Sequence, residues 1–169
     1  MARESVIIPE VIEPDGKLPR DLVALRKFAV LMDEAVRIPG TNRGIGLDAT
    51  LGFIPGIGPL AGGLLSLWII VGALRHRVPM FHVSRMVINV LIDMVVGEVP
   101  ILGDVFDLLF EENVINFKML LRYRDRTQPP RSFGAIAGGA LVVTLIILAV
   151  GVALLVLTIA AVFWLIAQR

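Results

Sequence analysis

Leu141 to Ile166 reads LVVTLIILAVGVALLVLTIAAVFWLI, and no charged residue occurs between Ser132 and Gln168. A bilayer core about 30 Å thick needs about 20 apolar residues in a helix, so this segment spans a membrane with length to spare. The surplus is too short for a second crossing, which predicts one long, tilted helix. Buried helices of soluble proteins rarely go this far without a charge.

The flanks predict its orientation. Upstream lie Arg122, Arg124, Arg126 and Arg131, whereas downstream there is only Arg169. Positive charge on the cytoplasmic side then places residues 126–133 as a basic, proline-containing linker and 134–168 as the transmembrane helix, with the N-terminal bulk in the cytoplasm. Trp164 and Phe163 fit an outer aromatic belt, and Phe133 an inner one. The first residues, Met1-Ala-Arg-Glu-Ser, lack the apolar run of a signal peptide, so the expected anchor is the tail.

Composition agrees. Of 169 residues, 56% are hydrophobic and 18% charged, and the mean hydropathy is +0.82. The balance of 16 basic and 15 acidic residues excludes a nucleic-acid binder driven by net charge. The absence of cysteine excludes disulfides, thiolate metal sites and a cysteine nucleophile.

Residues 1–20 carry Pro9, Pro14, Gly16 and Pro19 and read as an extended arm. Asp21 is then placed to cap an amphipathic helix reaching Arg37. Its apolar face is Leu22, Leu25, Phe28, Ala29, Met32 and Val36, with Lys27, Asp33 and Glu34 away from that stripe.

The most informative feature is an internal repeat. Asp48, Gly52, Pro55 and Gly58 are answered by Asp93, Gly97, Pro100 and Gly103, an offset of 45 residues with the frame D-x-x-x-G-x-x-P-x-x-G. Such a period signals a duplicated supersecondary unit. Helical pattern on both sides of each corner predicts helices over about 44–54 and 60–76 in one copy and 80–98 and 104–124 in the other. Proline ends the first helix of each pair, and the glycines permit a tight corner. Asp104 suits the N-cap of the next helix, and Pro59 suits its first turn in the other copy. Residues 21–125 are therefore expected to form two pseudo-repeat helical hairpins, about 44–76 and 80–124. The fold class is an all-α membrane protein.

The stretches Ile38-Pro-Gly-Thr-Asn-Arg-Gly-Ile-Gly-Leu-Asp48 and Asn89-Val-Leu-Ile-Asp93-Met-Val-Val-Gly97-Glu-Val-Pro100-Ile-Leu-Gly103-Asp104-Val-Phe-Asp107 resemble a bacterial family defined as a domain of unknown function. Its pattern runs IPGTxxxxGLDxxxGxxPxxGD and NxxxDxxxGxxPxxGDxFD, and the likeness covers about residues 22–125. The resemblance implies a small membrane-associated helical domain of a bacterial inner membrane and carries no assigned activity. Pro59 stands where the family pattern has aspartate, so the two corners do not offer a matched carboxylate pair.

Whether the hairpins enter the bilayer is a matter of charge. The first copy has no charge from Ala49 to Leu74 but is flanked by arginines on both sides, Arg37 and Arg43 before it and Arg75 and Arg77 after. That pattern favours a re-entrant or interfacial hairpin over a crossing. Glu98, Asp104, Asp107, Glu111 and Glu112 around the second corner predict a wet tip.

Few residues suggest chemistry. Asp48 and Asp93 occupy equivalent repeat positions, and Arg85, Asn89 and Asp93 recur every four residues on one helix face. These four form a possible ion or polar site, as repeat-related carboxylates do in transporters, or a packing device. His76, between Arg75 and Arg77, is expected to face solvent or headgroups, and His82 opens a helix. Two isolated histidines do not make a metal site, and no catalytic motif or cofactor fingerprint occurs. Arg122, Arg124, Arg126 and Arg131 are placed to meet anionic lipid headgroups. Gly134, Gly138, Ala153 and Ala160 offer a small-residue face for another transmembrane helix or a second copy. The expected function is non-enzymatic: an accessory or scaffolding subunit of a membrane complex, or a self-assembling membrane-surface protein. The alternative is a small ion or proton conductor built on Asp48 and Asp93.

Overall fold

In a computed structural model, the described residues are 18–37, 44–47, 51, 57–99, 106 and 110–168. The helices are α1 (Arg20–Glu34), α2 (Ile57–Arg75), α3 (Met80–Gly97), α4 (Glu112–Tyr123) and α5 (Phe133–Ala167). A short antiparallel pair, β1 (Val36–Arg37) and β2 (Gly44–Ile45), follows α1, with Val36 opposite Ile45. Most of the other described residues are helical, as the hydrophobic pattern predicts, although Gly44 and Ile45, expected in a helix over about 44–54, pair as a strand instead.

Three of these helices, α2, α3 and α5, are long and apolar enough to cross a membrane, which marks a membrane-associated protein. At about 1.5 Å per residue, α2 and α3 each approach the thickness of a hydrocarbon core. They run antiparallel: the chain turns between Arg75 and Met80, while Gly63 lies against Met94 near the far end. The turn is a Schellman-type helix end. Val78 N–H donates to Ala73 O at 3.0 Å, Arg77 takes the left-handed conformation at φ 58°, and Val78 is buried beneath it, as such ends require.

The longest helix, α5, lies along α2 rather than standing off as a lone anchor. Gly139 sits by Leu74, and Gly151 sits by Leu60 and Met94. A Cβ at Gly151 would come within 2.5 Å of Leu60 Cδ1, so the glycine sets how closely the two helices approach. Ile136, Val143 and Ile147 on the same face of α5 are buried. The interior joins these to Ile69, Ile70 and Ala73 of α2, to Val83, Met86, Val90 and Met94 of α3, and to Phe117 and Leu120 of α4.

Several expectations need correction. Asp21 does not cap α1; the helix begins a residue earlier, its N-cap is Pro19, and Asp21 Oδ2 pairs with His76 Nε2 at 2.8 Å. Val36 leaves the apolar face because α1 ends at Glu34 and β1 exposes it. Asp33 and Glu34, expected on the outer side, are buried. The helix predicted over 104–124 is interrupted at Phe110 and Glu111. The reason is a change of acceptor: in a continuous helix Val114 N–H would bond to Phe110 O, and here it donates to Asp33 Oδ2 at 2.8 Å.

Gly52, Pro55, Pro100, Gly103, Asp104 and Asp48 lie outside the described residues, as does the extended arm up to residue 17. Of the remaining repeat positions, Gly58 is buried in the first turn of α2, and Asp93 and Gly97 are half-buried in α3. The tight turn between Arg75 and Met80 falls between the two expected copies, and the corners expected within them lie mostly outside the described residues. One family-pattern glycine has a clear physical reason: Gly46 lies so close beneath the Met32 carbonyl that a Cβ has no room.

Candidate functional site

Asp33, Ser66, Glu112, Asn113 and Asn116, five of the buried polar side chains, gather where α1, α2, α3 and α4 meet. Helix α4 supplies three of them in its first five residues: Glu112, Asn113 and Asn116, all buried. The restart of the helix at Glu112 makes this possible, because it turns the polar first turn inward.

Asp33 of α1 anchors one side of the cluster. It accepts from Asn113 Nδ2 at 2.8 Å and from the backbone N–H of Val114 at 2.8 Å. A helix leaves its first N–H groups without intrahelical acceptors, and a carboxylate there is favoured by the helix dipole. Asp33 thus caps α4 across 81 residues of sequence. Its burial costs less because two donors and a positive helix end receive it.

The other side runs through Asn116. Asn116 Nδ2 donates to Glu112 Oε2 at 2.9 Å and to the Met86 carbonyl at 3.2 Å. Its Oδ1 accepts from Asn89 Nδ2 at 2.8 Å. Ser66 of α2 completes the line: its hydroxyl reaches the Gly62 carbonyl at 3.0 Å and donates to Glu112 Oε1. A single chain of hydrogen bonds therefore ties α3 to α4 and α4 to α2 through side chains that water barely reaches.

Chemically this arrangement is a clamp. Asn116 uses both ends of its amide in one orientation, which favours one register of the helices, and partly satisfied alternatives are costly in a low-dielectric interior. Among the described residues no group of three or more histidine, aspartate or glutamate side chains could hold a metal ion.

Of the four residues expected to form a polar site, only Asn89 joins this cluster. Arg85 lines a separate cleft, Asp93 is half-buried farther along α3, and Asp48 lies outside the described residues. Sequence reasoning missed Asp33, Ser66, Glu112, Asn113 and Asn116. A usable signal existed: Glu112, Asn113 and Asn116 share the inward face of α4 with Phe117 and Leu120, a polar intrusion into an apolar stripe.

The histidines also differ from expectation. His76 is buried rather than solvated, because Asp21 pairs with its ring and Asp125 N–H donates to its carbonyl. His82 stacks on Tyr123, ring centroids 3.5 Å apart. Among the arginines expected at headgroups, Arg122, Arg126 and Arg131 are exposed, while Arg124 is folded inward. Burial, with Arg126 nearby, lowers the Arg124 pKa from its ordinary value. Beside it, the hydroxyl and amide of Thr127 both donate to Asp125 Oδ1, at 2.6 and 2.8 Å, and hold that carboxyl below the usual range.

Residues 21–123 match the family described as "Domain of unknown function (DUF4112)". The chain belongs to that family. No curated protein and no solved structure matches it. The DUF4112 match opens in the first turn of α1 and closes on Tyr123, the last residue of α4. It therefore contains the whole polar clamp, and α5 lies beyond it. Helix α5 follows the matched residues and packs against them through Ile136, Val143, Ile147 and Gly151.

Proposed function

We propose that this protein is a non-enzymatic membrane protein that acts as an accessory or scaffolding subunit, or assembles with itself, through the uncovered side of α5. The carrying observation is the division of that helix into two faces. Ile136, Val143, Ile147 and Gly151 pack on the domain. Gly134, Gly138, Ala153 and Ala160 lie on exposed surface, and a Cβ at Gly134 or Gly138 would meet nothing within 4 Å. Small residues let two helix backbones approach closely in lipid, where apolar burial alone gives no drive to associate.

The orientation follows from charge. Arg75, Arg77, Arg126 and Arg131 gather where α2 ends and α3 and α5 begin: Arg131 N–H donates to Arg75 O at 2.8 Å, and Arg77 Nε to Pro129 O at 3.3 Å. A basic end of this kind belongs on the cytoplasmic side, and the membrane we propose is a bacterial inner membrane.

Extraction in mild detergent, followed by native mass spectrometry, tests the reading. The expected species is larger than one chain, either a homo-oligomer or a complex with another membrane protein. Changing Gly134 and Gly138 together to Leu should return it to a single chain without loss of helicity. A wild-type protein that runs as one chain with lipid alone defeats the proposal.

A further inference from the structure

Beside the clamp, α3 and α4 leave an open cleft of about 330 Å³ lined by Arg85, Ile115, Lys118, Met119, Arg122 and Tyr123. Three of its six lining residues are cations. The salt bridges seen within 4 Å between described residues do not involve these three cations. Three cations lining one cleft make it a favourable place for an anion.

The walls of the cleft are organised. The Tyr123 ring is held between His82, stacked on it at 3.5 Å, and the Arg122 guanidinium, 5.4 Å from its centroid. Ile115 and Met119 give the cleft an apolar floor. Arg85 stands on the second turn of α3, about 8 Å along the helix from Met80 and so close to the end where Arg75, Arg77 and Arg131 gather. From Arg85 the same side of α3 continues through Ile88, Ile92 and Val95, all exposed. Cationic groups thus adjoin an uncovered apolar strip.

We propose that the cleft binds the phosphate of an anionic phospholipid, with Arg85, Lys118 and Arg122 around the phosphate oxygens and an acyl chain along Ile88, Ile92 and Val95. Phosphate oxygens are the shared chemistry of a lipid headgroup and of free phosphate; the apolar strip beside the cations favours the lipid. This site is independent of the oligomerisation face on α5.

The test is lipid retention by the full chain, measured by native mass spectrometry from detergent with added phosphatidylglycerol, phosphatidylcholine or inorganic phosphate. Phosphatidylglycerol should be retained at least tenfold more tightly than phosphatidylcholine and should not be displaced by millimolar phosphate. Near a membrane surface each Lys or Arg contributes enough for about a fivefold change. Arg85→Gln, Lys118→Gln and Arg122→Gln should therefore each weaken retention about fivefold, and the first two together about 25-fold. Lys27→Gln, exposed on α1 and outside the cleft, should leave it within twofold. In the unmodified chain, raising salt should weaken phosphatidylglycerol retention and leave phosphatidylcholine retention unchanged. Equal retention of the two lipids overturns the proposal, as does occupancy by inorganic phosphate alone.

Discussion

Asp33→Ala should cost about 2–5 kcal/mol of stability, because it strips buried donors of their acceptor. Asn113 Nδ2 and the Val114 N–H both lose Asp33, and neither can reach water. The loss of a helix cap alone accounts for about 0.5–2 kcal/mol of this. Asp33→Asn keeps one acceptor oxygen but turns an amide N–H toward one of the two donors, so its cost should be about 1–2 kcal/mol. Denaturant unfolding in detergent, followed by helical circular dichroism, ranks the variants. An alanine variant as stable as the asparagine variant would mean that Asp33 does not cap α4.

The second large effect is expected at the centre of the clamp. Asn116 is fully buried and makes three side-chain hydrogen bonds. Asn116→Leu keeps the branched side-chain skeleton, though bulkier, but leaves Glu112 Oε2 without that donor and Asn89 without that acceptor, at about 2–4 kcal/mol. Asn116→Asp is instructive for a different reason. It sets a second carboxylate against Glu112, and like charges at that distance favour a shared proton. The pair binds protons more readily folded than unfolded, so this variant should be least stable at neutral pH and recover as pH falls. An Asn116→Asp variant whose stability fell on mild acidification would contradict the network.

These two residues also show where sequence reading stops. The transmembrane character of α5 was legible because 37 uncharged residues in a row have few other uses. Helix α1 was legible because Leu22, Leu25, Ala29 and Met32 recur at helical spacing, and all four are buried. Asp33 was misplaced for a physical reason. Periodicity treats a carboxylate as solvent-facing, whereas a carboxylate that meets a helix N-terminus from another element can sit inside. That acceptor lies 81 residues from its donor, and local pattern does not encode such a distance.

The site was less legible than the fold. Asn89 was found through its spacing with Arg85 and Asp93, yet its partner is Asn116, 27 residues away. Arg85 faces a different surface altogether. Glu112 was read as part of a wet, acidic corner because charges crowd that stretch of sequence. The break at Phe110 and Glu111 reverses this by aiming Glu112 at Ser66. A single backbone interruption thus decides whether the same acidic residue is solvated or interior.

Helix α5 packs lengthwise on α2, which joins the membrane helix to the DUF4112 domain as one unit. The chain has no cysteine, so an introduced pair reports on this contact without background. A Cβ at Gly151 would lie 3.1 Å from Leu60 Cβ, so a shift of a few tenths of an ångström brings the pair to the roughly 3.5–4.5 Å that a disulfide spans. Leu60→Cys with Gly151→Cys, oxidised in native membranes, should give an intrachain disulfide in most molecules, seen as a reducible shift in gel mobility. The pair Leu60→Cys with Ala160→Cys, more than two helical turns farther along α5, should give none. Equal cross-linking of both pairs, or of neither, would contradict the packed arrangement.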